Sequence, residues 1–278
     1  MSGLQGKVAL ITGAARGQGR SHAIRLAEDG ADIIAIDVAE DIPTVPFPGA
    51  TPEDLAETVS LVEKLDRRIV ARQVDVRDVS ALTEAVSDGV TELGGRLDIV
   101  LANAGIFGTP GKVWEMSDEL WQTTIDVNLT GVFTTVRAAV PHMLAAGNGG
   151  SIVLTSSAAG LKGVPNYGNY AAAKHGVTGL AKTLAMELAE HGIRVNSVHP
   201  GSVDTTMIIN DTTFKVFAPD LEHPTKEDVS ANFATTNLLP IPWLEPRDIS
   251  NAVAWLVSDE ARYVTGIQLP VDAGMNAK

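Results

Sequence analysis

Seven short apolar runs, rich in β-branched residues, recur along the chain: "KVALIT" (7–12), "DIIAID" (32–37), "IVARQVD" (69–75), "LDIVLANAG" (97–105), "SIVLTSS" (151–157), "IRVNSVHPG" (193–201) and "IQLPVD" (267–272). Runs that stay apolar without strict alternation are expected of strands buried on both faces. Between them lie segments with the helical repeat. In "GRSHAIRLAEDG", Ala23, Ile24 and Ala27 fall on one face, and similar patterns fill 80–93, 118–146, 170–191 and 246–258. Strand and helix alternating over the whole length predict parallel strands joined by crossover helices. The expected fold class is α/β: one domain over residues 1–278, with a doubly wound, seven-stranded parallel sheet flanked by about six helices.

Two segments break the alternation. Residues 37–57 carry prolines at 43, 46, 48 and 52, and residues 202–240 form a long excursion between a strand and the helix start "EPRDIS". Long segments without regular structure inside a compact domain are usually functional or disordered.

The first strand runs directly into "TGAARGQG" and then a helix. Gly13 lets the chain turn out of the strand, and Gly17 and Gly19 let the backbone approach a ligand with no Cβ in the way. The helix start that follows presents free N–H groups to a pyrophosphate, so Arg16 and Gln18 join these glycines as candidate cofactor contacts. The spacing is G-x-x-x-G-x-G rather than the commoner G-x-G-x-x-G. Its place between strand one and helix one is that of a Rossmann-type nucleotide loop. Asp37 ends the second strand near the expected offset. A carboxylate there accepts from both ribose hydroxyls of NAD and repels a 2′-phosphate. Arg16 points the other way, since a cation before Gly17 would suit NADP. Asp37 weighs more, because Val38 supplies no second cation, and NAD is the expected cofactor.

Composition narrows the picture. The chain is 45% hydrophobic and 20% charged, ordinary for a protein with a full core, and its net charge is −13. An acidic surface disfavours nucleic acid and anionic membranes as partners. With no cysteine there are no disulfides and no thiolate chemistry. The six histidines have no metal-binding spacing, and His199 before Pro200 reads as structural. No signal peptide and no membrane-length apolar run is seen, so a cytoplasmic location is expected.

The stretch "NYGNYAAAKHG" (166–176) holds two tyrosines and a lysine, and a tyrosine four residues from a lysine on a helix is usually a packed ring beside a solvated ammonium. Its company changes that reading. Thr12-Gly13-x-x-x-Gly17-x-Gly19, Asn103-Ala104-Gly105, Tyr170-x-x-x-Lys174 and Pro200-Gly201 occur in that order, and the whole chain resembles the short-chain dehydrogenases/reductases. The resemblance implies a catalytic set of Asn128, Ser157, Tyr170 and Lys174. Tyr167 is excluded because Ala171, not a lysine, follows it by four residues. Hydride transfer at a carbinol carbon needs a matching proton transfer at its oxygen. A phenol, with a pKa of about 10, becomes a useful base only with help from a nearby cation, and Tyr170 and Lys174 share one helix face. By resemblance, Ser157 holds the substrate oxygen, Asn128 positions a water leading from Lys174 to solvent, and Lys174 also meets the nicotinamide ribose. The same resemblance places Asp75 and Val76 beside the adenine, Asn103, Ala104 and Gly105 along the cofactor cleft, and Pro200, Val203 and Thr205 near the carboxamide and phosphates.

The interval from Asp37 to Asp75 is longer than in compact members of that family. Together with "AARGQGRSHA", "ATPEDLAETV", "SSAAGLKG", "NLLPIPWLEPRDISNAV" and "SDEARYVTG", the extra segment resembles the mycofactocin-coupled group, which includes carveol dehydrogenases. That resemblance implies a tightly held NAD, covered by residues of about 38–54 and recycled in place by a separate redox carrier. It also implies a homotetramer, formed through the tyrosine-bearing helix, the helix before it and the C-terminal strand. The 202–240 region, with Met207, Ile208, Phe214, Phe217, Phe233 and Leu238 and with Trp243 just beyond, suits a small hydrophobic alcohol or ketone. A dehydrogenase with freely exchanging NAD(H) is the alternative.

Overall fold

The computed structural model describes residues 3–278 and contains one seven-stranded, wholly parallel sheet in the order β3-β2-β1-β4-β5-β6-β7. The strands are β1 (Val8–Thr12), β2 (Asp32–Asp37), β3 (Ile69–Gln73), β4 (Ile99–Ala102), β5 (Gly150–Thr155), β6 (Ile193–Pro200) and β7 (Gln268–Val271). The chain winds outward twice from β1, so the order reverses between β1 and β4, and the two strands' C-terminal ends open a crevice there.

Alternate residues of each central strand feed opposite faces. Leu10, Ile34, Val100 and Ile152 pack with Leu82 and Val86 of α3 (Val79–Glu92), Val136 of α5 (Gly131–Ala146) and Val177 of α6 (Gly168–Glu187). Ile11, Ile33, Leu101 and Val153 pack with Leu26 of α1 (Gly17–Glu28) and with Ile249 and Val253 of α9 (Pro246–Val257). Both faces are covered, which explains the uninterrupted apolar runs.

The structure departs from the sequence expectation in the two interruptions and in one helix. Within the proline-bearing segment, Pro52–Glu63 forms α2, started by a capping box: Thr51 Oγ1 accepts from the Asp54 amide at 3.2 Å, and the Asp54 carboxylate accepts from the Thr51 amide at 2.9 Å. Pro52 occupies the first turn, where its missing N–H costs nothing. The 202–240 excursion is also built: it carries α7 (Asp211–Phe217), capped by Asn210, and α8 (Lys226–Ala234), opened by a Thr225–Asp228 capping box. The 118–146 pattern is not one regular helix. It divides into α4 (Asp118–Ile125), a π-helical turn (Asp126–Thr130) and α5. Among the described residues no helix is long and apolar enough to cross a membrane.

Candidate active site

The crevice at the strand reversal deepens into a cavity of about 660 Å³, within the range of small-molecule sites. At one end the glycine loop leaves β1. Gly13 and Gly17 have φ of 69° and 55°, which L-residues rarely adopt. A Cβ on Gly19 would lie 1.9 Å from the Gly13 carbonyl oxygen, and one on Gly13 would lie 2.9 Å from Ala104 Cα. The Asn103 amide donates to the Thr12 carbonyl at 3.0 Å, while the Thr12 hydroxyl accepts from the Asn103 and Ala104 backbone N–H groups. These bonds tie the β1 turn to the β4 turn and set the floor of the crevice.

Asp37 is buried at the end of β2, its two oxygens accepting from the Ala15 and Ala39 amides, both at 2.9 Å. Each carboxylate oxygen keeps a second lone pair free. Asp75 is held by Arg77, and Val76 packs against Gly131; both line the same end of the cavity. Pro200, Val203 and Thr205 line the opposite wall, with Val203 fixed by a parallel bridge to Leu244 and the Thr205 methyl facing Gly17. The Gln18 Oε1 atom is buried there without a partner.

Arg16 does something the sequence reading missed. Its guanidinium donates to the Gly49 carbonyl at 2.9 Å and the Pro48 carbonyl at 2.5 Å. Burial holds it below the usual arginine range, against the pull of Asp54, Asp37 and Asp41. The cation thus ties the phosphate loop to the proline-bearing segment. Thr58, fully buried on α2, adds a hydroxyl that reaches the Ala14 and Ala15 carbonyls at 3.0 and 3.1 Å. Glu40, Ile42, Val45, Phe47, Gly49 and Ala50 line the cavity beside Asp37 and Val76. Neither Arg16 nor Thr58 has a local signal for these partners, which lie more than thirty residues away.

At the other end, Ser157, Tyr170 and Lys174 converge. Ser157 follows β5, extended, and its Oγ accepts from the Ala159 amide at 3.1 Å. Burial raises the Tyr170 phenol's pKa above its ordinary value, and the Ser157 hydroxyl pulls it back. Neighbouring Ser156 turns away and donates to the Lys174 carbonyl at 2.9 Å. Lys174, almost fully buried, donates to the Thr155 carbonyl at 2.9 Å and lies 5.6 Å from the Tyr170 ring centroid. Its pKa is lowered by burial to about 8. Asn128 is fully buried in the π-helical turn, a motif frequent at functional sites. Its side-chain oxygen accepts from the Ile106 amide at 2.8 Å and its side-chain nitrogen donates to the Ile106 carbonyl at 2.9 Å. The Asn128 oxygen and the Lys174 nitrogen both face Gly105, where a Cβ would lie 2.8 and 3.4 Å from them. Both ends of the Asn128 side-chain amide are thus used by Ile106.

Tyr167 is placed in the cavity wall as well. It stacks on Phe107 with centroids 4.3 Å apart, and Phe107 meets Tyr170 edge-on at 4.9 Å. Burial raises the Tyr167 phenol to about 12. Phe107, just past the Asn103–Gly105 turn, carries no distinguishing sequence signal. Beyond these rings the cavity is walled by Val164, Met207, Ile208, Phe217, Phe233 and Met275. Of the other residues expected there, Phe214 and Trp243 pack behind Phe233, and Leu238 is 57% exposed.

The family model described as enoyl-(acyl carrier protein) reductase matches residues 13–276. A (−)-trans-carveol dehydrogenase of Rhodococcus erythropolis is 55% identical over the full length of both chains. The crystal structure of a carveol dehydrogenase from Mycobacterium avium in complex with NAD superposes with a TM-score of 0.99, at 57% identity and over all of both chains. A trans-4-hydroxycyclohexanecarboxylate dehydrogenase of Sinomonas cyclohexanicum is 41% identical, over 98% of this chain and 93% of its own.

Proposed function

The chain belongs to the short-chain dehydrogenase/reductase family, and from that premise we propose that it interconverts a hydrophobic, carveol-like secondary alcohol and its ketone with NAD as cofactor. The observation that carries this reading is one continuous cavity with Asp37 and the glycine loop at one end and Ser157, Tyr170 and Lys174 at the other. The residues present fit NAD. The loop is open where Gly13, Gly17 and Gly19 lack a Cβ, and Asp37 retains acceptor capacity for a ribose diol. Arg16, the cation beside the glycine loop, is engaged by Pro48 and Gly49. NAD, when bound, supplies the hydride acceptor or donor.

Tyr170 takes the hydroxyl proton from the alcohol, or returns it to the carbonyl. Ser157, whose hydroxyl lowers the Tyr170 pKa, holds the substrate oxygen beside it. Lys174 is charged below about pH 8. The Lys174 ammonium, 5.6 Å from the Tyr170 ring centroid, favours the phenolate and so opposes the burial that raises Tyr170. Asn128 fixes Ile106 through both ends of its side-chain amide and, by resemblance to the family, positions a water that leads from Lys174 outward. The apolar wall of Met207, Ile208, Phe217 and Phe233 accepts the hydrocarbon body of the substrate.

The Arg16 clamp and the cavity-facing Ile42, Val45 and Phe47 support a further part of the reading: residues of about 38–54 cover the nucleotide and slow its exchange. A cofactor that stays bound must be reoxidised in place by a redox carrier, in keeping with the mycofactocin-coupled group. Exposed Phe133 and Leu144 on α5 and Met186 on α6 support self-association through those helices, as in a homotetramer.

The test is to purify the protein without added nucleotide, denature it and identify what is released. Near one NAD or NADH per chain after extensive dialysis is expected. Almost no nucleotide, with activity restored by free NAD, would make this a dehydrogenase with exchanging cofactor and the 38–54 segment a surface loop.

A further inference from the structure

His199 is fully buried on β6, and both of its ring nitrogens are used. Nδ1 lies 2.9 Å from the Ser157 carbonyl oxygen, and Nε2 lies 2.8 Å from Ser197 Oγ. A carbonyl only accepts, so Nδ1 carries the proton, and in the neutral ring Nε2 accepts from the Ser197 hydroxyl. Burial keeps the ring neutral by lowering its pKa, against the Ser157 bond that raises it.

The place of this bond in the sheet gives it meaning. The β5–β6 ladder closes with the Ser156 amide donating to the Val198 carbonyl at 2.9 Å. Ser157 is the next residue, where the chain leaves the strand for the turn Ala158–Gly160. The main-chain ladder no longer holds it. The Ser157 carbonyl accepts from the Gly160 amide at 2.8 Å within that turn and from His199 Nδ1 at 2.9 Å, so the His199 side chain ties the turn back to β6 beside the hydroxyl that lowers the Tyr170 pKa. The Ala159 amide occupies one lone pair of that hydroxyl, so its remaining bonding directions follow from the backbone that His199 holds.

We propose that His199 is a positioning residue for the reaction: its Nδ1–H, oriented by Ser197, holds the Ser157 main chain so that the hydroxyl is aimed at Tyr170 and the substrate oxygen. The inference rests on the dehydrogenase reading above, but it can be tested apart from turnover.

Two variants of similar polarity separate the ring's two bonds. His199→Asn keeps a donor near the Nδ1 position, and His199→Gln keeps an amide near Nε2 while losing the one facing Ser157. For oxidation of a cyclic secondary alcohol, H199Q is expected to lower kcat at least tenfold with bound nucleotide unchanged, and H199N to recover to within about threefold. In a Ser157→Ala background, H199Q is expected to cost no further activity, because the two residues act as one unit. A second readout is the ultraviolet titration of Tyr170, isolated by subtracting Tyr170→Phe. It should move to higher pH in H199Q and stay near wild type in H199N, even if no tested alcohol is turned over. Wild type inactive on every cyclic alcohol would count against the dehydrogenase reading while leaving this titration valid. An unmoved Tyr170 titration in folded H199Q, or equal losses of activity with and without Ser157, would overturn the role of His199.

Discussion

Arg16 and Gly49 are joined across 33 residues by a guanidinium–carbonyl hydrogen bond of 2.9 Å, which ties the phosphate loop to the proline-bearing segment. A hydrogen bond from a charged donor is worth about 1.5–3 kcal/mol, and Arg16 makes a second one, to Pro48. Arg16→Ala is therefore expected to speed release of bound nucleotide at least tenfold, measured by exchange against labelled NAD. Deletion within 38–54 should do the same, and unchanged exchange in both would remove the cover from the account.

The two tyrosines of "NYGNY" should separate cleanly. Tyr170→Phe removes the phenol whose pKa Ser157 lowers, and general acid–base catalysis contributes about 10²–10⁴ in rate. A loss of that size in kcat with nucleotide retained is expected. Tyr167→Phe keeps the ring stacked on Phe107 and should change kcat less than about threefold. Steady-state kinetics on both variants decide it, and similar losses in the two would contradict the assignment.

Alcohol oxidation needs the Tyr170 phenolate, so its rate should rise with pH. Ser157 lowers the Tyr170 pKa against burial. Ser157→Ala should therefore move the rising limb to higher pH as well as lowering the plateau. Lys174 loses its proton above about pH 8, and its help to the phenolate with it. A rising limb that stays in place or moves to lower pH in S157A would be inconsistent with this arrangement.

His22 gives a stability prediction remote from the chemistry. It is buried between α1 and α9, with Nδ1 2.8 Å from Ser250 Oγ, Nε2 without a partner, and a pKa lowered by burial from 6.5 to about 3. Because the folded-state value is the lower one, the unfolded chain binds the extra proton first. The contribution to stability is complete above pH 6.5 and is lost as pH falls towards about 3. At about 1.4 kcal/mol per unit, it amounts to at most about 5 kcal/mol. The melting temperature should fall across that window in wild type, with a shallower slope in His22→Leu; equal slopes would refute the assignment.

Gly19→Ala tests the loop. Its Cβ would fall 1.9 Å from the Gly13 carbonyl oxygen, and both atoms are backbone-fixed. Near-complete loss of bound nucleotide is expected, measured by nucleotide content after purification, and a variant that retained it would show that the loop yields.

The central strands were legible because both faces of the sheet are buried, so Val8–Ile11, Ile33–Ile36, Ile99–Ala102 and Ile152–Leu154 stay apolar without a break. The α2 helix was equally legible from Thr51-Pro52-Glu53-Asp54, but four nearby prolines drew the reading towards a loop. The π-helical turn at Asn128 was not, since its residues suit an α-helix and tertiary packing selects the wider turn. Arg16 shows a different limit. Its position before Gly17 suggests a cation suited to NADP, yet its partners are two carbonyls fixed by a distant loop fold. His199 was read as structural from its place before Pro200, and the bond to Ser157 depends on strand register.

The most direct measurement is a single turnover: mix the protein, carrying only the nucleotide it retains through purification, with a cyclic secondary alcohol such as carveol, and follow NADH formation. The account predicts rapid reduction approaching one equivalent per chain, absent in Tyr170→Phe, with the NADH remaining on the protein until an artificial acceptor is added. Retained NAD that no cyclic alcohol reduces, or reduction that is equally fast in Tyr170→Phe, would contradict it.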